Sequence, residues 1–321
     1  MKLCRFAEEF LLAVVLFTTC SGLILQAEES EGNKCYLFSS FRGNGEDGLH
    51  LAYSTDGLRW QALKNDKSFL KPEVGGKLMR DPCICTGPDG IFHLVWTSSW
   101  SENGIGIAHS KDLIKWSEQK LLSVMKHEPN AKNCWAPEIF HDSTAMEFII
   151  FWSTTIPGRF PETDNTGDGD NNHRIYYTST KDFRTYSTTR LLYDDGFNVI
   201  DATMAKDGER YLLFIKDETK RPVPKKNIRL ATGTSPRGPF SHAGKPISMD
   251  WVEGPTALKI GKSWIVYFDE YTRHKYGAVS SDDLHQWDII SDKVVFPKGT
   301  RHGTIFTVSQ SILNRLLQQN D

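Results

Sequence analysis

Hydrophobic and polar positions along the chain predict a set of short β-strands that recurs five times. Five runs rich in aromatic and β-branched residues, bounded by Gly, Asp and Pro, have the composition of strands. They cover residues 35–41, 91–96, 148–152, 211–215 and 264–268. Each run is followed by a second β-rich run that continues into Ser or Thr, an acidic or turn residue and then an aromatic residue. These second runs cover residues 49–60, 105–116, 174–186, 227–240 and 275–287. Recurrence of this kind predicts a repeat architecture.

A short polar segment precedes four of the five units and completes the repeat. The segments are Arg80-Asp81-Pro82, Trp135-Ala136-Pro137-Glu138, Val199-Ile200-Asp201 and Glu253-Gly254-Pro255. The first unit has no such segment before it, but Arg301-His302-Gly303 stands near the C-terminus. We therefore expect an all-β, five-bladed β-propeller in which the C-terminal strand joins the N-terminal blade, because circular closure protects the sheet edges. Each blade has room for four short strands.

Composition agrees with one β domain of this size. Aromatic residues make up 12% of the 321 residues, and the mean hydropathy of -0.42 is that of a soluble protein. A ring of blades exceeds the usual domain length, so we expect one domain and not two. The net charge of -2 gives no broad basic surface for nucleic acid. We expect a monomer that acts on an uncharged substrate and requires no cofactor.

The N-terminus has the pattern of a secretory leader. Basic residues precede an apolar stretch at residues 10–25, and Ala27 precedes two glutamates. We therefore predict a signal peptide over residues 1–27 and a mature catalytic domain over residues 28–321, secreted or periplasmic and free of the membrane. Two alternatives remain. Acidic residues within the leader favour a short membrane anchor, and Cys20 allows a lipoprotein.

Four of the six cysteines remain once the predicted signal peptide is removed, namely Cys35, Cys83, Cys85 and Cys134. Cys83 and Cys85 are two residues apart on a predicted inner strand, so their side chains share one face and cannot easily bridge each other. Cys35 and Cys134 can pair in an oxidising compartment, and the sequence does not choose among the connectivities. We favour buried free thiols, and no cysteine has zinc-site spacing.

The inner strands of a propeller converge on its axis, so polar residues at their starts should meet in one funnel. The residues expected there are Asp81, Glu138, Asp201, Glu253 and His302. Four carboxyl groups and an imidazole in one pocket repel or share protons, an arrangement typical of a reactive site. Each motif alone is weak, since Asp-Pro and Glu-Gly-Pro are common at turns and strand entries. All five in order, each before a strand pair, favour a functional site.

Two carboxyl groups on either side of a glycosidic bond are what acetal hydrolysis requires. One must be protonated to donate to the leaving oxygen, and the other must be ionised. Glu253 is the candidate acid if its neighbours raise its pKa, and Asp201 on the adjacent blade is the candidate charge that does so. Asp81 lies across the ring from Glu253. A carboxyl separation of roughly 6.5–9.5 Å would admit a water and predict inversion of the anomeric carbon.

The order of these motifs resembles glycoside hydrolase family 43 across nearly the whole mature chain. That family consists of five-bladed propellers, mostly inverting arabinofuranosidases and xylosidases that act on plant polysaccharides. The resemblance implies that Asp81 is the general base, Glu253 the general acid and Asp201 the carboxylate that tunes the acid. Ala202 stands where the family often has Pro. Glu138 stands where many members have Asp, so the resemblance implies a substrate contact for it.

Several further residues are candidates for substrate binding. Trp135 and Trp100 have flat apolar faces on which sugar rings can stack, although blade packing explains them equally well. Arg80 and Arg301 adjoin site residues and can orient carboxylates. The polar insertion at residues 156–173 is expected to form a rim loop that sets specificity.

Calcium is the metal that the sequence brings into question, and we expect it to be structural at most. Asp164, Asp168 and Asp170 in the insertion resemble a calcium loop, but position twelve is Ile175 where an EF-hand has glutamate. His302 resembles a histidine near the axis that in some family members sits close to a bound calcium. No metal site is assigned on this basis.

The sequence therefore predicts an inverting glycosidase that cleaves O-glycosidic bonds in polysaccharides or oligosaccharides and releases arabinofuranosyl or xylosyl units. Two alternatives stay open. One is a propeller that binds glycans without catalysis, and the other is a fructosyl hydrolase of the same architecture, which would retain the anomeric configuration. The sequence does not decide the sugar, the linkage or whether attack is at a chain end.

Overall fold

The computed structural model describes residues 34–320, which form five antiparallel sheets. The predicted signal peptide, with Cys4 and Cys20, lies outside the described residues. The sheets follow one another along the chain as the blades of a propeller, and the inner strand of each blade packs against those of its neighbours. The prediction of an all-β, five-bladed propeller is therefore confirmed.

Blade 1 contains the closure that the sequence predicted. Its strands are β1 (Lys34–Ser40), β2 (His50–Ser54) and β3 (Gln61–Ala62), and the C-terminal strand β19 (Thr304–Ser309) is the innermost member. Strand β19 pairs antiparallel with β1, with Cys35 opposite Val308 and Ser39 opposite Thr304. The two ends of the ring are thus held together by a ladder of main-chain hydrogen bonds.

The other four blades are continuous in sequence, with the first strand of each innermost. Blade 2 has β4 (Arg80–Thr86), β5 (Phe92–Thr97), β6 (Ile105–Ser110) and β7 (Lys120–Leu122). Blade 3 has β8 (Trp135–Asp142), β9 (Glu147–Thr155), β10 (His173–Thr180) and β11 (Arg190–Tyr193). Blade 4 has β12 (Val199–Asp207), β13 (Arg210–Asp217) and β14 (Asn227–Gly233). Blade 5 has β15 (Glu253–Ile260), β16 (Ser263–Glu270), β17 (Lys275–Ser281) and β18 (Asp288–Ile289).

Blade 4 departs from the expected four strands, because its sheet has three. The segment that follows β14 contains Pro236 and Pro239, which have no main-chain N–H to donate to a ladder. Single hydrogen bonds from Ser241 N to Thr232 O and from Gly244 N to Leu230 O keep this segment against β14. It covers the edge without forming a regular strand.

The repeated Ser or Thr and Asp residues form the turn between the third and fourth strands. In blade 1, Ser54 Oγ accepts from Gly57 N and Asp56 Oδ1 accepts from the N–H groups of Leu58 and Arg59. The same pairing recurs at Ser110 with Asp112, at Thr180 with Asp182 and at Ser281 with Asp283. The recurring motif is therefore a blade turn.

Apolar residues between neighbouring blades form the core, and the C-terminal segment adds to it. Three short 3-10 turns cover Lys64–Asp66, Pro161–Thr163 and Gln318–Asn320, and the one α-helix of the described residues is α1 (Gln310–Leu317). Its buried Leu313 and Leu316 pack with Cys35 and residues of β19. The four cysteines within residues 34–320 are free thiols, as favoured from the sequence. No helix in this part of the chain is long and apolar enough to cross a membrane.

Candidate active site

The inner strands of blades 2 to 5 begin with the same irregularity, which sets the depth of every site residue. Pairing with the second strand shifts between Arg80 and Cys83, Trp135 and Glu138, Ile200 and Thr203, and Glu253 and Thr256. The residue after the first member of each pair has a left-handed backbone, with φ near +50° at Asp81, Ala136 and Asp201 and +60° at Gly254. These are β-bulges, which turn side chains towards a site.

The bulges arrange the start of the inner strands in three layers. We call these the mouth layer, the middle layer and the deep layer. The residues of blade 1 are assigned to the layers by their spacing in the sequence. The mouth layer contains Arg80, Trp135, Ile200, Glu253 and Arg301. The middle layer contains Asp81, Ala136, Asp201, Gly254 and His302. The deep layer contains Cys83, Glu138, Thr203, Thr256 and Thr304. A cavity of about 500 Å³ is lined by the whole mouth layer and by Asp81, Asp201 and His302.

Glu138 lies deeper than the sequence indicated. The sequence places it level with Asp81 and Asp201, but those residues lie within their bulges, whereas Glu138 is the first paired residue after its bulge. It therefore belongs to the deep layer and does not line the cavity. Its Oε2 accepts from Thr203 Oγ1 at 2.7 Å and its Oε1 accepts from Thr304 Oγ1 at 3.0 Å. Burial raises the pKa of Glu138 to about 7. Its two hydrogen bonds therefore join the inner strand of blade 3 to those of blades 4 and 1.

Asp81 is an ionised carboxylate held by two neighbours. Its Oδ2 accepts from Thr97 Oγ1 at 2.8 Å, and its Oδ1 lies 3.3 Å from Nδ1 of His302. Burial alone would raise the pKa of Asp81, but His302, Arg80 and the Thr97 hydroxyl outweigh burial and lower it to about 2. The same Thr97 hydroxyl accepts from Ala136 N and so ties the middle layer of blade 2 to that of blade 3.

Asp201 binds its proton more tightly than Asp81 does. It is buried, its Oδ2 accepts from Gly254 N at 3.1 Å, and its own N–H donates to Ser153 Oγ. Burial raises the pKa of Asp201 to about 6, and the charges of Glu253 and Asp81 act in the same direction against His302 and Lys216. The cavity therefore holds one carboxyl group that ionises readily and one that keeps its proton up to a pH of about 6.

Glu253 is held by two cations at the mouth. Lys216 Nζ lies 3.2 Å from its Oε2, and Arg301 donates to its Oε1 at 3.0 Å. Arg301 also donates to Asp269 Oδ2 at 2.7 Å. Burial would raise the pKa of Glu253, but Lys216 and Arg301 outweigh burial and lower it. Without substrate, the candidate acid is thus ionised.

Aromatic side chains form the mouth on the side of blades 2 and 3. Trp100 is 47% exposed and meets Trp135 edge to face, with ring centroids 5.5 Å apart. The Arg80 guanidinium lies 4.2 Å from the Trp100 ring, and Asn44 accepts from Arg80 and from Trp100 Nε1. A flat apolar surface with nearby donors suits a sugar ring.

The insertion at residues 156–173 reaches the same cavity, as expected of a rim loop. Asp168 and Asn171 line it, together with His173 at the start of β10. Lys220 and Lys226 of blade 4 both pair with Asp168, so this loop of blade 3 is fastened to the next blade.

The donors around the cavity do not form a metal site. Within residues 34–320, no group of three or more His, Cys, Asp or Glu side chains has the arrangement needed to hold a metal ion. Asp168 is paired with two lysines, and the His302 imidazole faces carboxyl groups, so among the described residues neither expected calcium position brings three free ligands together.

Two charged residues that hold Glu253 and Arg301 were not found from the sequence. Lys216 and Asp269 are near the ends of the second strands β13 and β16, directly opposite Ile200 and Glu253. The sequence pattern indicates polar site residues on the inner strands, whereas the second strands read as apolar runs. The signal was a charged residue directly after each run, in the stretches Ile215-Lys216 and Phe268-Asp269.

A family model described as "Probable glycosyl hydrolase domain", from the glycosyl hydrolase 43-related group, matches residues 31–313. The chain is also 25% identical over 221 residues to an α-L-arabinofuranosidase of Bifidobacterium longum subsp. longum. That match covers 63% of this chain and 20% of the relative, so the chain corresponds to about a fifth of that protein's length.

Solved structures share the fold at low identity. A thermostable family-43 glycoside hydrolase has a TM-score of 0.55 and 16% identity. The match covers 71% of this chain and 82% of the hydrolase chain. A family-43 β-1,3-galactosidase solved with galactodeoxynojirimycin has a TM-score of 0.53 and 10% identity, covering 71% of this chain and 81% of its own. These similarities concern the architecture.

Proposed function

Because the chain belongs to the glycosyl hydrolase 43-related family, we propose that it is an inverting glycoside hydrolase with Asp81 as base, Glu253 as acid and Asp201 as the residue that tunes the acid. The observation that carries this proposal is the contrast within one cavity. Asp81 has a pKa lowered to about 2, whereas Asp201 has a pKa raised to about 6. Hydrolysis of an acetal needs one ionised and one protonated group. In this proposal Asp81 is the ionised group, and Asp201, which accepts from Gly254 N beside Glu253, keeps a proton available to the acid.

Asp81 is suited to activate water. It is ionised at any pH at which the protein would work, and its hydrogen bond from Thr97 fixes the carboxylate plane. A positioned base of this kind contributes about 10²–10⁴-fold to the rate. In the proposed reaction, Asp81 takes a proton from the water that attacks the anomeric carbon.

Glu253 must carry a proton when the glycosidic bond breaks. In the substrate-free site its partners Lys216 and Arg301 favour the ionised form, while Asp201 retains a proton nearby. A sugar that enters the mouth displaces water and competes for these cations, which weakens their hold on Glu253. The negative charge of Asp81, joined by that of Asp201 once Asp201 has lost its proton, then favours protonation of Glu253.

We propose arabinofuranosyl or xylosyl units as the released sugars, supported by the arabinofuranosidase from Bifidobacterium longum subsp. longum. Trp100, Trp135, Arg80 and Arg301 line the mouth and are the proposed substrate contacts. We also propose that the mature protein is secreted or periplasmic and acts as a monomer.

A second candidate function is a propeller that binds glycans without cleaving them. The ion pairs of Glu253 with Lys216 and Arg301 favour this alternative, because a permanently ionised Glu253 cannot donate a proton. The two functions share the cavity and differ in whether sugar is released.

The deciding experiment is proton NMR of the purified protein acting on aryl α-L-arabinofuranoside, aryl β-D-xyloside and aryl β-D-galactoside. Glu253→Ala and Asp81→Ala are run beside it. The proposal expects a first-formed sugar of inverted configuration, and a loss of at least about 100-fold in each variant. Retained configuration would exclude inversion. Binding of the sugars without release by the unmodified protein would favour the glycan-binding propeller.

A further inference from the structure

A continuous chain of ion pairs runs from the rim loop to Glu253. Asp168, on the loop at residues 156–173, pairs with Lys220 and with Lys226, the latter at 2.6 Å. Lys226 pairs with Glu218, whose Oε2 lies 2.7 Å from Lys216 Nζ. Lys216 in turn lies 3.2 Å from Glu253. Charges of opposite sign alternate along the whole path.

The inner members of this chain are removed from water. The side chains of Lys226 and Lys216 are 1% and 4% exposed, and that of Glu218 is 10% exposed. Interactions between buried charges are screened far less than those at a surface. A change at one link therefore alters the next link, because each charged group divides its attraction between two partners.

We propose that Asp168 is a positioning residue for Glu253, which acts through Lys226 and Glu218 to set how tightly Lys216 holds the Glu253 carboxylate. Asp168 draws Lys226 away from Glu218, Glu218 is then free to draw Lys216, and Lys216 holds Glu253 less strongly. The role assigned to Glu253 rests on the proposed function, whereas the order of the ion pairs does not.

Other charged or titratable groups also face the two ends of this chain. The cations that face Glu253 are Lys216, Arg301 and His302, and its carboxyl neighbours are Asp81, Asp201 and Asp269. The phenols of Tyr271 and Tyr276 lie in the same field, and Tyr271 also senses Asp168. These groups are the same in every variant below, so their effect on Glu253 cancels when the variants are compared.

Two substitutions break the same surface contact and should act on Glu253 in opposite directions. In Asp168→Asn, Lys226 turns to Glu218, Lys216 is released to Glu253, and the ionised form of Glu253 is favoured. In Lys220→Met, Asp168 turns wholly to Lys226, Glu218 holds Lys216 more firmly, and the protonated form of Glu253 is favoured. A loop that merely loosened would shift Glu253 in the same direction in both variants.

The loop has other anchors that keep its conformation in these variants. The main-chain N–H groups of Lys220 and Arg221 both donate to Thr166 O. The matched control is Asp170→Asn, because Asp170 is in the same loop but is 90% exposed and pairs only distantly with Lys132, at 3.9 Å.

The test is the carbon-13 NMR titration of the Glu253 carboxyl carbon, identified by its loss in Glu253→Gln. Relative to the unmodified protein, we expect the midpoint to fall in Asp168→Asn, to rise in Lys220→Met and to stay unchanged in Asp170→Asn. A shift of roughly half a pH unit corresponds to about a threefold change in the protonated fraction. Where sugar is released, kcat/KM at a fixed pH above the midpoint should change by the same factor.

The outcomes separate this inference from the proposed function. Equal midpoints in Asp168→Asn and the unmodified protein, or shifts of the same sign in Asp168→Asn and Lys220→Met, would overturn the inference. Failure of the unmodified protein to release any sugar would overturn the proposed function and leave the NMR result decisive for the ion-pair chain. A rise in kcat/KM in Lys220→Met cannot arise from loss of loop structure.

Discussion

His302 Nδ1 lies 3.3 Å from Oδ1 of Asp81 in the middle layer of the propeller. Burial alone would lower the pKa of His302, but the carboxylates of Asp81 and Asp201 raise it to about 9. The imidazolium in turn helps to lower the pKa of Asp81 to about 2. Each residue therefore holds the other in its charged form, and the proposed base is ionised because of its neighbour from the closing strand.

Replacement of His302 by Asn should move the acidic limb of the pH profile of kcat/KM to higher pH. The base acts only when ionised, so activity is lost as the pH falls through the pKa of Asp81. Without the imidazolium, burial raises that pKa, by about 1–3 units for an opposite charge at this distance. The measurement is kcat/KM against pH for both proteins, with thermal unfolding as a check on folding. An unmoved acidic limb would show that His302 does not keep Asp81 ionised.

Gly254→Ala should reduce both stability and activity. Gly254 has φ of +60°, and an added Cβ would lie 2.3 Å from His302 Cγ. The methyl group therefore strains the backbone and also displaces the partner of Asp81. The matched control is Gly261→Ala, with φ of +58° but no atom within 4 Å of the added Cβ.

Gly261→Ala should lose about 1–2 kcal/mol of unfolding free energy from the left-handed backbone and keep its activity. Gly254→Ala should lose more stability than this control and also show a lower kcat/KM. Chemical denaturation and kinetics on the same samples measure both effects. Equal losses of stability with full activity in both variants would mean that His302 tolerates the methyl group.

The sequence predicted the propeller, its closure and three of the carboxyl groups because those features depend on order and period. The strand runs recur, and the unpaired Arg301-His302-Gly303 segment matches the blade that lacks an inner strand. The depth of the carboxyl groups in the funnel could not be predicted, because it depends on the bulges. Glu138 stands two positions further along its inner strand than Asp81 does, level with Cys83, and so lies below the cavity, although its motif looks equivalent to that of Asp81.

Lys216 and Asp269 show a different limit of prediction from the sequence. Both are opposite inner-strand residues across a blade, and pairing register between strands cannot be read from one strand alone. The lowered pKa of Glu253 follows from Lys216 and Arg301, whereas the sequence led us to expect neighbours that raise it. The net effect of carboxylates and cations depends on distances, which only the structure supplies.

Trp100→Ala should raise KM about tenfold while kcat stays within about twofold. An aromatic platform contacts a sugar alike in the ground state and the transition state, so its loss removes uniform binding. Trp100→Phe should restore most of the affinity, because the ring persists. Steady-state kinetics on the best aryl glycoside measures both constants. A fall in kcat at unchanged KM would instead place Trp100 in the chemical step.

Glu138→Gln should increase the stability of the protein more at alkaline pH than at acidic pH. Glu138 is 5% exposed, and burial raises its pKa from 4.5 to about 7. The folded protein therefore binds this proton more tightly than the unfolded chain does. The stability that this provides is complete below about pH 4.5 and is lost as the pH rises through 7, by about 3 kcal/mol. Glutamine keeps the shape of the protonated group and cannot ionise, so the loss should be absent in the variant.

Denaturation of both proteins at about pH 5 and pH 8 measures the difference, with kcat/KM as a check that the cavity above is intact. A gap between the two proteins that does not change with pH would show that Glu138 is not protonated between Thr203 and Thr304.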